Sequence, residues 1–520
     1  MADKSFYITT AIAYVNGRPH LGHAYEVIST DVLARFKRLD GYDVHFCTGT
    51  DEHGQKVAKS AADAGVDPKA FCDEISGYFK EMDDLLEISY DRFIRTTEEA
   101  HYAASQAIWQ KIADNGDIYL DSYAGWYSTR DEAFFDESEL TDGEGGKKLA
   151  PSGAECEWVE EPSYFFRLSA YGDRLLKYYE ENPDFIQPDF RRNEVVSFVR
   201  QGLRDLSISR TTFDWGVPVP DDPDHIMYVW LDALTNYITA LGFPDDTDGM
   251  MKRYWPVDIH IIGKDILRFH AIYWPAFLMS AGVDLPKRVF GHGFLNVEGA
   301  KMSKSLGNVL SPSDMVEEFG LDQLRYFLLR EVPYGSDGSF SREQIINRIN
   351  SDLANDLGNL AQRVLSMVQR YCDGVLPEPG PATNEDAALL SSAGAMLAEC
   401  RNQMDRQALH DVLETVWRVV RAANSYVDAQ APWKLNKENP DRMRSVLYTL
   451  AETVRNVALL LQPFMPGSTA AMLDQLVVGE ADRGFDRCGE AGRLTPGIAL
   501  PKPEGVFPRF VEEDAAKSGS

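Results

Sequence analysis

Cysteine is scarce in this chain of 520 residues: Cys47, Cys72, Cys156, Cys372, Cys400 and Cys488 are scattered, with no CxxC pair among them. That excludes a disulfide framework or a zinc knuckle and points to reduced, structural thiols. Cations are also short, with 52 Lys and Arg against 81 Asp and Glu and a formal net charge of −29, so the molecule as a whole repels a polyanion. Indiscriminate nucleic-acid binding is disfavoured, and a specific nucleic-acid partner requires cations gathered on one face. Apolar runs of membrane-spanning length are missing, as is a basic stretch followed by an apolar one over residues 1–10. A soluble, cytoplasmic protein with no membrane partner is therefore expected. What is present is 44% hydrophobic residues, in a chain too long for one core, which predicts two to four domains.

The most informative stretch is His20-Leu21-Gly22-His23, which follows an apolar segment over 5–14 and opens a helical pattern over 23–39. At such a strand-to-helix turn, free backbone N–H groups and the positive end of the helix dipole face an anion, and two imidazoles add directional donors. Gly22 lets the ligand come close. A strand over 43–48, ending in Gly49-Thr50-Asp51-Glu52-His53-Gly54, completes the start of a βαβ unit. In a parallel sheet both loops lie at the carboxyl ends of strands, where ligands bind.

Helical patterns over 68–86 and 98–115 follow, and then short aromatic strands such as 124–128 mark an insertion near 116–215. Gly145-Gly146-Lys147-Lys148 sits in a polar hairpin or loop and lacks the strand and helix that a phosphate loop needs. Apolar runs at 225–230, 258–263 and 288–292 read as later strands of the first sheet, so the nucleotide-binding fold is split by the insertion. Beyond 345 the pattern is helical over 350–371, 384–404, 408–429 and 442–461, with prolines between, which predicts a helical bundle. Residues past 467 read as a partly ordered tail.

Lys301-Met302-Ser303-Lys304-Ser305 lies between Gly299 and Gly307. Two lysines and two hydroxyls on a flexible segment suit a mobile clamp that neutralises a polyphosphate without any proton transfer. Together with His20-Leu21-Gly22-His23, the chain resembles the class I aminoacyl-tRNA synthetases. Ala11-Ile12-Ala13-Tyr14-Val15-Asn16-Gly17, Tyr228-Val229-Trp230-Leu231-Asp232-Ala233 and Gly263-Lys264-Asp265-Ile266-Leu267-Arg268-Phe269-His270 narrow the resemblance to the methionyl-tRNA synthetase family, in order, over about residues 5–465.

The resemblance implies a Rossmann-like α/β catalytic domain, split by a connective insertion and followed by an all-α anticodon-binding bundle. Its expected bounds are 1–115 and 216–296 for the two catalytic halves, 116–215 for the insertion, 297–345 for the lysine loop and stem-contact region, 346–466 for the bundle and 467–520 for the tail. It implies formation of methionyl-adenylate from L-methionine and ATP, with Mg²⁺ accompanying ATP, and transfer of methionine to initiator and elongator tRNA(Met). His20, His23, Lys301, Lys304 and Arg210 are the implied catalytic residues. His20, Gly22, His23, Gly263, Asp265, Lys301 and Lys304 are implied to hold ATP. Ile12, Tyr14, Asp51, Trp230, Ala233, Tyr237, Ile266 and His270 are implied to line the methionine site, with Asp51 answering the ammonium. An aromatic pocket suits a thioether, which offers dispersion and sulfur–aromatic contacts.

Asn359, Arg363 and Trp433 stand at the family's anticodon-reading positions, where stacking faces and edge donors suit single-stranded RNA. Arg348, Arg370, Arg418, Arg421, Lys434 and Lys437 are candidates for a local cationic face. Two departures stand out: Leu234 replaces a proline found in some relatives, and residues 126–171 contain only Cys156, so no structural zinc is expected. No appended C-terminal tRNA-binding barrel is recognised, which favours a monomer. The rival readings are a synthetase for isoleucine, leucine or valine, a decayed tRNA-binding protein, and a small-molecule nucleotidyltransferase. The first usually needs a large editing domain that the insertion is too small to supply. The second leaves the complete histidine and lysine motifs unexplained, and the third leaves the helical bundle unexplained.

Overall fold

A computed structural model describes residues 4–131, 133–297, 300–301 and 309–512. The chain forms two compact units, one of residues 5–19 and 44–292, the other of 1–4, 20–43 and 293–520.

The first of these units is built on a seven-stranded sheet in which Ile186–Gln187, Val289–His292, Ile259–Gly263, Ser5–Thr10, Asp43–Asp51 and Ala13–Tyr14 lie side by side in that order. Arg92–Arg95 also pairs with Asp43–Asp51, in parallel, with Gly49 opposite Ile94. The central strands are buried on both faces, as expected of a parallel sheet. Gly49 has a physical reason: a Cβ there would stand 1.9 Å from the Ile94 carbonyl oxygen, so only glycine permits this pairing.

Within 116–215, Ile118–Ser128 and Glu155–Phe166 form a long antiparallel pair, from Ile118 opposite Phe166 to Tyr127 opposite Glu157. Ile186–Gln187 differs from the expectation of a pure insertion, because it returns to the parallel sheet beside Val289–His292. Two residues are too few to show a period in the sequence. A second correction concerns 225–230. Asp222–Met227 is the middle strand of a separate antiparallel sheet with Ser209–Arg210 and Pro218–Val219, and Val229–Thr239 is a helix. Nearly every side of that helix is buried, so its apolar run carries no helical stripe and reads as a strand.

The other unit opens with the helix Leu21–Leu39. Its buried Asp31 meets the equally buried Arg325 at 2.6 Å, and Arg325 also donates to the carbonyls of Pro463 and Phe464. Leu295–Val297 pairs with Ala300–Lys301 and with Gly338–Phe340. Then come the helices Asn359–Tyr371, Asn384–Met404, Leu409–Gln430 and Pro440–Leu461, the last buried almost throughout its length. Where a partly ordered tail was expected, the described residues instead form the helix Pro466–Gln475, short 3-10 turns over 480–492 and a strap up to 512, while 513–520 lie outside the described residues. The strap is held because Leu376 N–H donates to the Ile498 carbonyl and Phe510 N–H donates to Asn350 Oδ1, both at 2.9 Å. Among the described residues no helix is long and apolar enough to cross a membrane.

Candidate functional site

His20 is the N-cap of the helix Leu21–Leu39, and both histidines of the turn are tied to its backbone. Gly22 N–H donates to His20 Nδ1 at 3.0 Å, and His20 N–H donates to His23 Nδ1 at 3.1 Å. The rings stack at 3.9 Å. With Nδ1 accepting in each ring, the proton of each neutral imidazole sits on Nε2. Burial pushes the His23 imidazole well below its ordinary range, and the His20 ring adds to the effect. The turn thus sets two imidazole rings, that of His23 held neutral, at a helix N-terminus, an arrangement suited to phosphate oxygens. Lys301 pairs through its backbone with Asn296. Lys304 and Gly299 lie outside the described residues.

In the other unit, Trp230, Ala233 and Tyr237 share one face of the helix Val229–Thr239, being three and seven residues apart. The Trp230 indole lies flat on Phe269, with centroids 3.7 Å apart and planes 6° apart. His270 Nδ1–H donates to the Ile266 carbonyl at 3.0 Å, so Nε2 accepts from the Tyr237 hydroxyl at 2.7 Å. Burial holds His270 down to about 4, against a weaker upward pull from the Ile266 carbonyl, and the ring is neutral at pH 7. Tyr237 rests on His260 at 4.1 Å, and His260 Nδ1 is bonded to Thr9 Oγ1 at 2.8 Å.

Tyr14, Trp230, Ile266 and Phe269 each border one large hydrophobic cluster, and Tyr14 lies opposite Asp51 in the sheet register. Leu234 is buried in that cluster as well. Ile12 borders a second cluster, the one that contains Tyr7, Leu241 and Val257. Gly263 ends its strand where the Asp265 carboxylate folds back, and a Cβ there would meet Asp265 Oδ1 at 2.6 Å. Arg210 is buried rather than part of a surface ion pair. Its Nη1 donates to Ser207 Oγ at 2.8 Å and to the Ser209 carbonyl, and its guanidinium lies 4.7 Å from the ring of Tyr228, the N-cap of the helix Val229–Thr239.

Away from the Trp230, Ala233 and Tyr237 face, the helix Val229–Thr239 carries a polar cluster that no sequence motif announces. Asp232 accepts from His53 Nδ1 and from His101 Nε2, each at 2.6 Å. Burial alone would raise the Asp232 carboxyl, yet the two imidazoles hold it down to about 2. The one available signal was Asp232 itself, a carboxylate set inside an apolar run. Among the described residues no group of three or more His, Cys, Asp or Glu has the geometry to hold a metal ion, and Cys156 packs with Ala150 and Ala154.

In the helical region the Arg363 guanidinium lies 5.8 Å from the Trp433 ring and its Nη2 is 3.0 Å from Asp428. Asn359 stands exposed one turn before Arg363, so the three residues share a surface.

A parallel sheet interrupted by an antiparallel hairpin and followed by helices, with a histidine-capped turn and a lysine segment, is the plan of a class I synthetase. Residues 6–365 match the family model described as tRNA synthetases class I (M), and residues 376–518 match the anticodon binding domain of methionyl tRNA ligase. The methionine--tRNA ligase of Rhizobium meliloti is 58% identical over 99% of this chain and 100% of its own length, and that of Mycobacterium tuberculosis is 57% identical over 98% of each. A solved M. tuberculosis methionyl-tRNA synthetase in complex with methionyl-adenylate aligns with a TM-score of 0.95 and 57% identity over 97% of this chain and 100% of that one. The apo form of the same enzyme aligns with a TM-score of 0.89 over 98% and 99%. The chain belongs to the methionyl-tRNA synthetase family.

Proposed function

We infer that the chain is a methionine–tRNA ligase, which activates L-methionine with ATP and transfers it to the 3′-terminal ribose of initiator and elongator tRNA(Met). The observation that carries this reading is the full-length similarity to a synthetase solved with methionyl-adenylate. The methionine carboxylate is already ionised at neutral pH. One of its oxygens attacks the α-phosphorus of ATP, the bond to the bridging oxygen breaks and pyrophosphate departs. No general base is needed, so catalysis is alignment and charge stabilisation. In this reading His20 and His23 donate from Nε2 to phosphate oxygens, Gly22 lets them approach, and Lys301 and Lys304 neutralise the leaving pyrophosphate. Gly263 and Asp265 meet the ATP ribose, and Arg210 faces the activated intermediate.

Asp51 answers the substrate ammonium, while Tyr14, Trp230, Ala233, Tyr237, Ile266 and His270 surround the thioether. The stacked Trp230–Phe269 pair and the neutral Tyr237–His270 pair support that assignment, because neither places a charge beside sulfur. Ile12 is assigned to the same site and borders the cluster that contains Tyr7. In the second step a terminal ribose hydroxyl, the 2′-hydroxyl in class I, attacks the adenylate carbonyl and AMP leaves. Mg²⁺ enters with ATP as part of the substrate, and no residue here is assigned to it. Asn359, Arg363 and Trp433 read the anticodon, and the enzyme works as a cytoplasmic monomer. The test is ATP–pyrophosphate exchange with methionine, isoleucine, leucine, valine and cysteine. Exchange should depend on methionine, and its absence would overturn the reading.

A further inference from the structure

Asp51 ends a central strand, and Glu52 and His53 follow it directly. Asp51 is flanked by two neighbours that are each locked in place. Glu52, fully buried, accepts from Arg95 Nε at 2.6 Å and Nη2 at 3.0 Å and from Thr50 Oγ1 at 2.8 Å. Its N–H donates to Thr96 Oγ1 at 2.9 Å, and its carbonyl accepts from Trp215 Nε1 at 2.6 Å. His53 takes the other direction, with Nδ1 on Asp232 Oδ2 at 2.6 Å and Nε2 at 3.0 Å from the Tyr102 hydroxyl.

Asp232 belongs to the pocket helix but points away from the face that carries Trp230, Ala233 and Tyr237. Its second oxygen takes His101 Nε2, and His101 Nδ1 reaches Thr239 Oγ1 at 3.1 Å at the end of the same helix. One carboxylate therefore joins the segment bearing Asp51 to the helix bearing the aromatic walls, while one imidazole grips that helix at two points. A charge buried this deeply often stabilises a fold no better than apolar packing of the same volume, while losing one partner of such a pair is costly, which suits a role in fixing a geometry.

We propose that His53, Asp232 and His101 are positioning residues that set the spacing between Asp51 and the aromatic pocket, and so make the site selective for an α-amino acid over its deaminated counterpart. The proposal rests on the reading of Asp51 as the ammonium partner. The experiment compares binding of L-methionine and of 4-(methylthio)butanoate, the same skeleton without the ammonium, by calorimetry on the full chain. Asp51→Asn should abolish the preference for methionine. Asp232→Asn and His53→Gln should weaken methionine about tenfold or more while leaving 4-(methylthio)butanoate within about threefold of its original affinity. His53→Asn, whose amide N–H stands where Nδ1–H was, should restore the preference, and it remains informative if Asp232→Asn does not fold. Equal losses for both ligands, or no loss in His53→Gln, would overturn the positioning role. An undiminished preference in Asp51→Asn would instead overturn the reading of Asp51, and the proposal with it.

Discussion

His20 and His23 each commit Nδ1 to the turn that carries them, so the two rings are locked as Nε2–H tautomers before any ligand arrives. Removing one ring should harm the transition state more than the ground state. His23→Ala is expected to slow adenylate formation by about 10²-fold or more in single-turnover measurements, while methionine affinity changes by less than about threefold. A second prediction concerns His270, held by burial at about 4 against an ordinary 6.5. Between those values the unfolded ring takes up a proton that the folded ring refuses. Stability is thus full above pH 6.5 and falls as pH drops towards 4, by up to about 3 kcal/mol from this group. Urea unfolding at pH 7 and pH 5 should show the loss, and His270→Asn should flatten that part of the slope. At this scale the sequence disclosed the residues set in recognisable motifs, the two histidines above all. Asp232, His53 and His101 stayed hidden because they come from three distant segments and meet only in the fold.

Among the elements, the helix Leu21–Leu39 carries its motif at one end and its anchorage further along. Asp31 and Arg325 are both fully buried at 2.6 Å, and Lys37 and Asp40 reach Asp405 and Arg401 in the last turn. The outer pairs are partly exposed and add little. Arg325→Met takes the buried arginine from Asp31 while Arg35 stays, and it should lower unfolding stability by about 3 kcal/mol, read by denaturant titration. Lys37→Ala should change stability by less than about 1 kcal/mol. Helices with one apolar stripe were legible: 384–404 was expected, and Asn384–Met404 is found. Elements without a stripe were not. Val229–Thr239 is buried on nearly all sides, and Ile186–Gln187 is two residues long, so neither has a period to read.

For the whole molecule, the charge of −29 sets the terms on which a polyanion binds: attraction has to be local. Arg363 and Trp433 lie together on one exposed surface of the helical region. Trp433→Ala should raise the KM for tRNA in charging assays and leave methionine-dependent pyrophosphate exchange unchanged. If it stacks a base, the salt dependence of tRNA binding stays as it was, whereas Arg363→Gln should reduce that slope by about one. Distance along the first helix matters here too. His20 stands about 16 Å along the axis from Asp31, so a tilt of about 4° at the buried arginine carries the histidine turn through about 1 Å. A displacement of that size is enough to change a rate about 10²-fold. Arg325 also grips the carbonyls of Pro463 and Phe464, just past the end of the helix Pro440–Leu461. Strain introduced at that far corner is therefore expected to reach the histidine turn, and Arg325→Met should show it as slower adenylate formation in single-turnover measurements.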